Sequence, residues 1–106
     1  MDDCKYQLVL QLPGTSQRDF DLLVLLEESL ADALDGTPHE VDGRDFGSGT
    51  GNIFIDTDEP IDAFALVKEI INPAEYPMLK AAYRSFEEDE YTLIWPEDSK
   101  EKFNLI

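Results

Sequence analysis

Hydrophobic and polar residues along this chain fall first into a two-residue period, then into helical spacing, and then repeat that sequence once. Leu8, Leu10 and Leu12 alternate with Gln7, Val9 and Gln11, the pattern of a strand with two differently used faces, and Pro13-Gly14 ends it. Ser16 followed three residues later by Asp19 resembles a capping box, with Asp where Glu or Gln is usual. It predicts a helix running to about Asp35, where Gly36 stops it. Phe20, Leu23, Leu26, Leu30 and Leu34 form its apolar stripe, and Asp21, Glu28, Asp32 and Asp35 its solvent side.

The stretch Val41 to Thr57 reads as two strands joined by a glycine-rich turn, placed centrally in the sheet. In it Asn52, Phe54 and Asp56 alternate with Ile53, Ile55 and Thr57, and Gly47, Gly49 and Gly51 supply the positive φ angles of a tight or bulged reversal. Asp58, Glu59 and Pro60 then mark a second helix start, with an acid as cap. Ala63, Phe64, Val67, Ile70 and Ile71 are its buried face, and Asn72-Pro73 closes it. Leu79 to Phe86 and Tyr91 to Trp95 flank four consecutive acids, predicting a closing hairpin; a helix over Leu79 to Phe86 is the competing assignment, disfavoured by the strand propensity of Tyr83 and Phe86. Pro96 ends the last strand, and 97–106 is a tail that docks Phe103, Leu105 or Ile106 on the body.

The resulting order, βαββαββ, predicts one α+β domain over residues 1–106: a ferredoxin-like split βαβ with an added C-terminal antiparallel strand and both helices on one face of the sheet. Val9, Phe54 and Tyr83 would leave the second face apolar, a surface through which a homodimer could form.

Composition changes this picture mainly through charge. Eight Lys and Arg against 24 Asp and Glu leave a formal net charge of −16. Such a surface repels phosphate backbones and anionic membranes, so nucleic acid and membrane are not expected partners. It suits a basic protein, a cation, or simple solubility. The 42% hydrophobic content, with six Phe, four Tyr and one Trp, argues that the chain folds despite its charge. Cys4 is the one cysteine, which excludes an intramolecular disulfide and fits a reducing, cytoplasmic setting. The longest apolar run, Leu22 to Leu26, is too short to cross a bilayer.

No motif assigns a cofactor, a metal or a catalytic residue. Gly47-Ser48-Gly49-Thr50-Gly51 leads into a strand, whereas a phosphate loop needs a helix N-terminus there. Asp42, Asp45, Asp56, Asp58 and Glu59 could gather at one end of the sheet as oxygen ligands for Ca²⁺ or Mg²⁺, yet they lack the spacing of a Ca²⁺-binding loop; Asp42, Arg44 and Asp45 read instead as a local salt-bridge and turn network. Asp45 and Asp56 could meet across the hairpin as a general acid/base pair. His39, at a loop-to-strand junction, reads as a solvated edge residue, and Trp95 as an anchor that becomes a partner hot spot if partly exposed.

The pattern V-D-G-x-D-x-G-S-G-x-x-N-I-F-I at Val41 to Ile55, with Y-T-L-I-W-P at Tyr91 to Pro96, resembles small uncharacterised bacterial proteins of this length. The resemblance implies a ferredoxin-like bacterial domain and brings no activity with it. Small acidic immunity proteins that neutralise basic nuclease toxins are similar in size and charge. The leading expectation is therefore a non-enzymatic, cytoplasmic domain that recognises a basic protein, immunity proteins being one such type. Its candidate surface comprises Asp42, Arg44, Asp45, Asp56, Asp58, Glu87, Glu88, Asp89, Glu90 and Trp95. The alternative is a small-molecule or divalent-metal-dependent enzyme using the hairpin-end carboxylates.

Overall fold

The computed structural model describes residues 4–97 and Phe103. Its elements are β1 (Tyr6–Pro13), α1 (Gln17–Leu34), β2 (Glu40–Gly47), β3 (Thr50–Thr57), α2 (Pro60–Ile70), a 3₁₀ turn (Pro73–Glu75), β4 (Lys80–Ser85) and β5 (Thr92–Trp95). The five strands form one sheet in the order β2-β3-β1-β4-β5, with every neighbouring pair antiparallel. β1 and β2 thus run the same way with β3 between them, joined through α1. β3 and β4 do so with β1 between them, joined through α2.

The centre of the sheet is β1, and the hairpin expected there lies to one side with β2 as an edge. The reason is visible in the side chains. Leu8, Val9 and Leu10 are consecutive and all buried, so β1 is apolar on both faces, whereas Asp42, Arg44 and Asp45 of β2 are exposed. The two-residue hairpin turn has positive φ at Ser48 (54°) and Gly49 (87°), the requirement of a type I′ turn. Gly51 serves a different purpose from the one expected. A Cβ there would lie 2.9 Å from Leu23 Cδ2, so this glycine lets α1 approach β3 closely.

Both helices pack on one face. Leu8, Leu10, Ile53, Ile55 and Ala81 of the sheet form one cluster with Leu23, Leu30 and Leu34 of α1 and Ala63, Phe64 and Val67 of α2. The α1 start is the expected capping box: Ser16 Oγ accepts the Asp19 N–H (3.1 Å), and Asp19 Oδ2 accepts the N–H of Ser16 (3.1 Å) and of Thr15 (2.9 Å). The α2 start departs from expectation, because Glu59 makes no side-chain cap and Asp58 Oδ1 accepts the Lys5 N–H (2.9 Å) instead. Thr57 Oγ1 takes the Glu59 N–H (2.9 Å) and Pro60 fills the first turn, where a missing N–H costs nothing.

Leu79 to Phe86 contains a strand and not a helix, and β4 with β5 closes the sheet as a hairpin. On the second face Val9 and Ala82 are buried under Phe103, with Phe54, Tyr91 and Leu93 packed around them. Phe103 is the docked tail residue; Leu105 and Ile106 lie outside the described residues. Tyr83 is not on that face. It pairs with Leu8, points to the helix side and meets the Tyr6 ring edge-on at 5.9 Å.

Candidate interaction surfaces

Strand register decides which acids come together. Tyr6 pairs with Thr57 on one side and with Ser85 on the other, and Glu40 pairs with Asp56. The starts of β1 and β2 therefore share one end of the sheet with the ends of β3 and β4. Lys5 ties this end together: its N–H donates to Asp58 and its carbonyl accepts the Phe86 N–H at 2.9 Å. Asp42, Asp56, Asp58 and the exposed loop Glu87-Glu88-Asp89-Glu90 all belong here. α1 ends at the same side with Asp32 and Asp35, and α2 starts from it with Glu59 and Asp62. Among the described residues the cations at this acidic end are Lys5 and Arg84. Arg84 is engaged locally, its Nε donating to Tyr91 Oη (3.3 Å) and its Nη1 to the carbonyls of Ser85 (3.4 Å) and Glu88 (3.0 Å).

Glu40 was absent from the candidate surface, and only the register reveals it. Counting outward from the Ser48-Gly49 turn sets Val41 opposite Asp56; a bulge between Val41 and Gly43 moves Glu40 there and leaves Asp42 beside it. Burial raises the Asp56 pKa above the usual carboxylate value, and the negative charges of Asp42 and Glu40 push it further the same way. Asp56 Oδ1 is buried with no hydrogen-bond partner among the described residues. Thr50 Oγ1 and Asn52 Nδ2, on the same face of β3, share that condition, while Asn52 Oδ1 accepts from Gln11 Nε2 at 3.0 Å.

Three candidates lie elsewhere. Asp45 stands opposite Asn52, four residues along β3 from Asp56 or about 14 Å at strand rise, so the two form no acid/base pair. Arg44 points to the helix face, pairing with Glu27 and lying over the Phe20 ring at 5.4 Å, so no Asp42–Arg44–Asp45 network exists. Alternation along the strand separates Arg44 from Asp45, and the bulge between Val41 and Gly43 separates it from Asp42. Trp95 is half-buried against Phe64, ring centroids 5.8 Å apart, with Lys68 Nζ over it at 5.4 Å. His39 is buried, contrary to expectation: its Nδ1 hydrogen-bonds Thr57 Oγ1 at 2.7 Å, which satisfies a polar ring inside the fold.

Among the described residues no group of three His, Cys, Asp or Glu side chains is placed to hold a metal ion. Among them also, no helix is long and apolar enough to cross a membrane. Comparison with protein-family models, with curated proteins and with solved structures finds no match.

Proposed function

We propose that this chain is a non-enzymatic interaction domain whose acidic sheet end recognises a basic protein. The observation that carries this reading is the crowding of Glu40, Asp42 and Asp56, which adds to burial in raising the Asp56 pKa and has no cationic partner among the described residues. Like charges held this close are relieved when a Lys or Arg side chain is brought against them, and the wider field of a −16 chain speeds that encounter. The reading includes a bacterial, cytoplasmic setting, with the single cysteine as its support, and toxin-neutralising immunity as one form it would take. For the fold it takes the ferredoxin-like split βαβ, supported by the order β4-β1-β3-β2 within the sheet and by β5 added beside β4.

Immobilised wild-type protein and a Glu40→Gln/Asp42→Asn/Asp56→Asn variant, each incubated with host extract at low and high salt, test the reading. A basic protein retained by the wild type at low salt, released at high salt and lost from the variant is the expected outcome. Equal recovery on both forms, or none at low salt, would sink it.

A further inference from the structure

At the end of the molecule opposite the acids, α1, the hairpin and the 72–78 loop enclose a cleft of about 240 Å³. Its walls are apolar, with Leu12, Leu23, Leu26, Phe46 and Tyr76 inside and Leu22 and Met78 at the mouth. Leu22 is 47% exposed and Met78 65%, and Leu25, one turn on from Leu22, is 59% exposed. Leu22 and Met78 thus share one cleft mouth, while the exposed Ile61 and Phe86 lie elsewhere. The charged residues in the cleft wall are Asp19 and Glu75, with no Lys, Arg or His among them. Asp19 stays ionised, because the N–H groups of Thr15 and Ser16 that it caps hold its pKa below the usual carboxylate value.

We propose that this cleft anchors one large apolar side chain of a partner segment, with a neighbouring Lys or Arg reaching Asp19 or Glu75. This goes beyond the acidic-end reading: the −16 charge of the whole chain draws a basic segment, and the cleft supplies the contact that salt does not screen. The volume matches one aromatic or branched side chain and lies at the low edge of the roughly 300–1,000 Å³ of small-molecule sites. Charge separates this occupant from an acidic or neutral segment, which would bury the two wall carboxylates without a counter-ion. Met78 suits the mouth, because an unbranched thioether side chain adapts to differently shaped anchors.

Three capped, fluorescein-labelled peptides test this: one with a central Trp-Leu pair flanked by lysines, one with glutamates for the lysines, and one with glycines for Trp-Leu. The first should bind and shift the amide resonances of Leu22, Phe46 and Met78. The glutamate form should not bind, and the glycine form should bind about tenfold or more weakly, the loss expected for one buried apolar side chain. Met78→Lys and Leu22→Lys, both at exposed positions, should weaken the first peptide by a similar factor while thermal melts stay unchanged. Binding of the glycine form as tight as the first, shifts confined to Glu40, Asp56 and Asp58, or no binding at millimolar peptide would overturn the cleft as anchor. Self-association seen by sedimentation and abolished by Met78→Lys would also overturn it, making a second copy the occupant. Cleft variants leave the acids at the other end untouched, and the Glu40→Gln/Asp42→Asn/Asp56→Asn variant leaves the cleft intact. Failure of one reading is thereby distinguished from failure of the other.

Discussion

Asp56 shows how one side chain records its surroundings. It sits on an inner strand, half-buried, between two acids that another fold would have kept apart. Its pKa in the folded protein lies above the ordinary value of 3.8, mainly through burial and then through Asp42 and Glu40. The folded state therefore holds this proton more tightly than the unfolded chain does. The resulting stability is fully present below pH 3.8 and is lost as pH rises through the folded pKa. Asp56→Asn keeps the shape and removes the charge. It should raise the melting temperature at pH 7, with the gain shrinking as pH falls towards 3.8, in a series of melts across that range. A variant less stable than wild type at pH 7 would mean that the carboxylate is paired.

At the scale of elements, the two helices begin by different means. α1 is opened by a reciprocal pair in which Ser16 and Asp19 each satisfy the other's backbone N–H. α2 relies on Pro60 and on Thr57, and the acids ahead of it face other tasks. Ser16→Ala should therefore destabilise the protein by about 1 kcal/mol, read by chemical denaturation, because the Asp19 N–H loses its acceptor. Glu59→Ala should leave stability within about 0.5 kcal/mol of wild type, since its side chain caps nothing. Equal losses in the two variants would show that acidic charge, and not the capping geometry, supports the helix starts. The β2–β3 hairpin makes a related point about edges. Its exposed acids and its bulge keep an otherwise open strand from pairing with another chain.

The whole molecule is polarised. Both helices, β2, β3 and the β4–β5 loop bring acids to one end of the sheet, while the opposite end holds the apolar cleft. Self-repulsion within 24 acids opposes compaction, and screening relieves it. Stability should rise with added salt, most of it below about 0.1 M, where the Debye length has fallen to about 10 Å. Because the described residues place no three metal-ligating side chains together, NaCl, CaCl₂ and MgCl₂ should act equally at matched ionic strength. A divalent-specific rise in melting temperature that Asp56→Asn abolishes would identify a cation site at the acidic end.

What the sequence determined by itself is what short-range chemistry controls. The α1 capping box, the glycine-assisted turn, the helical stripes and the two-residue periods each depend on residues a few positions apart, and each is legible in the chain. The tertiary structure decided what depends on partners far along the chain. Val9 beside Leu8 and Leu10 was the one local sign that β1 is buried on both faces, yet its central place follows from pairing with β3 and β4. One bulged residue, which no local pattern announces, set Glu40 against Asp56, and the turn register set Arg44 opposite Ile53 on the helix side, within reach of Glu27. Asp58 was free to cap a helix until Lys5 arrived at its carboxylate. His39 read as a surface residue because Thr57, the group that satisfies it, lies 18 positions away. The cleft was not legible at all, since Leu22 and Met78 meet only after α1 and the 72–78 loop have folded onto the same edge of the core. Periodicity reveals which face a residue takes, but long-range register and packing choose its neighbours, and neighbours set charge crowding and the shape of a site.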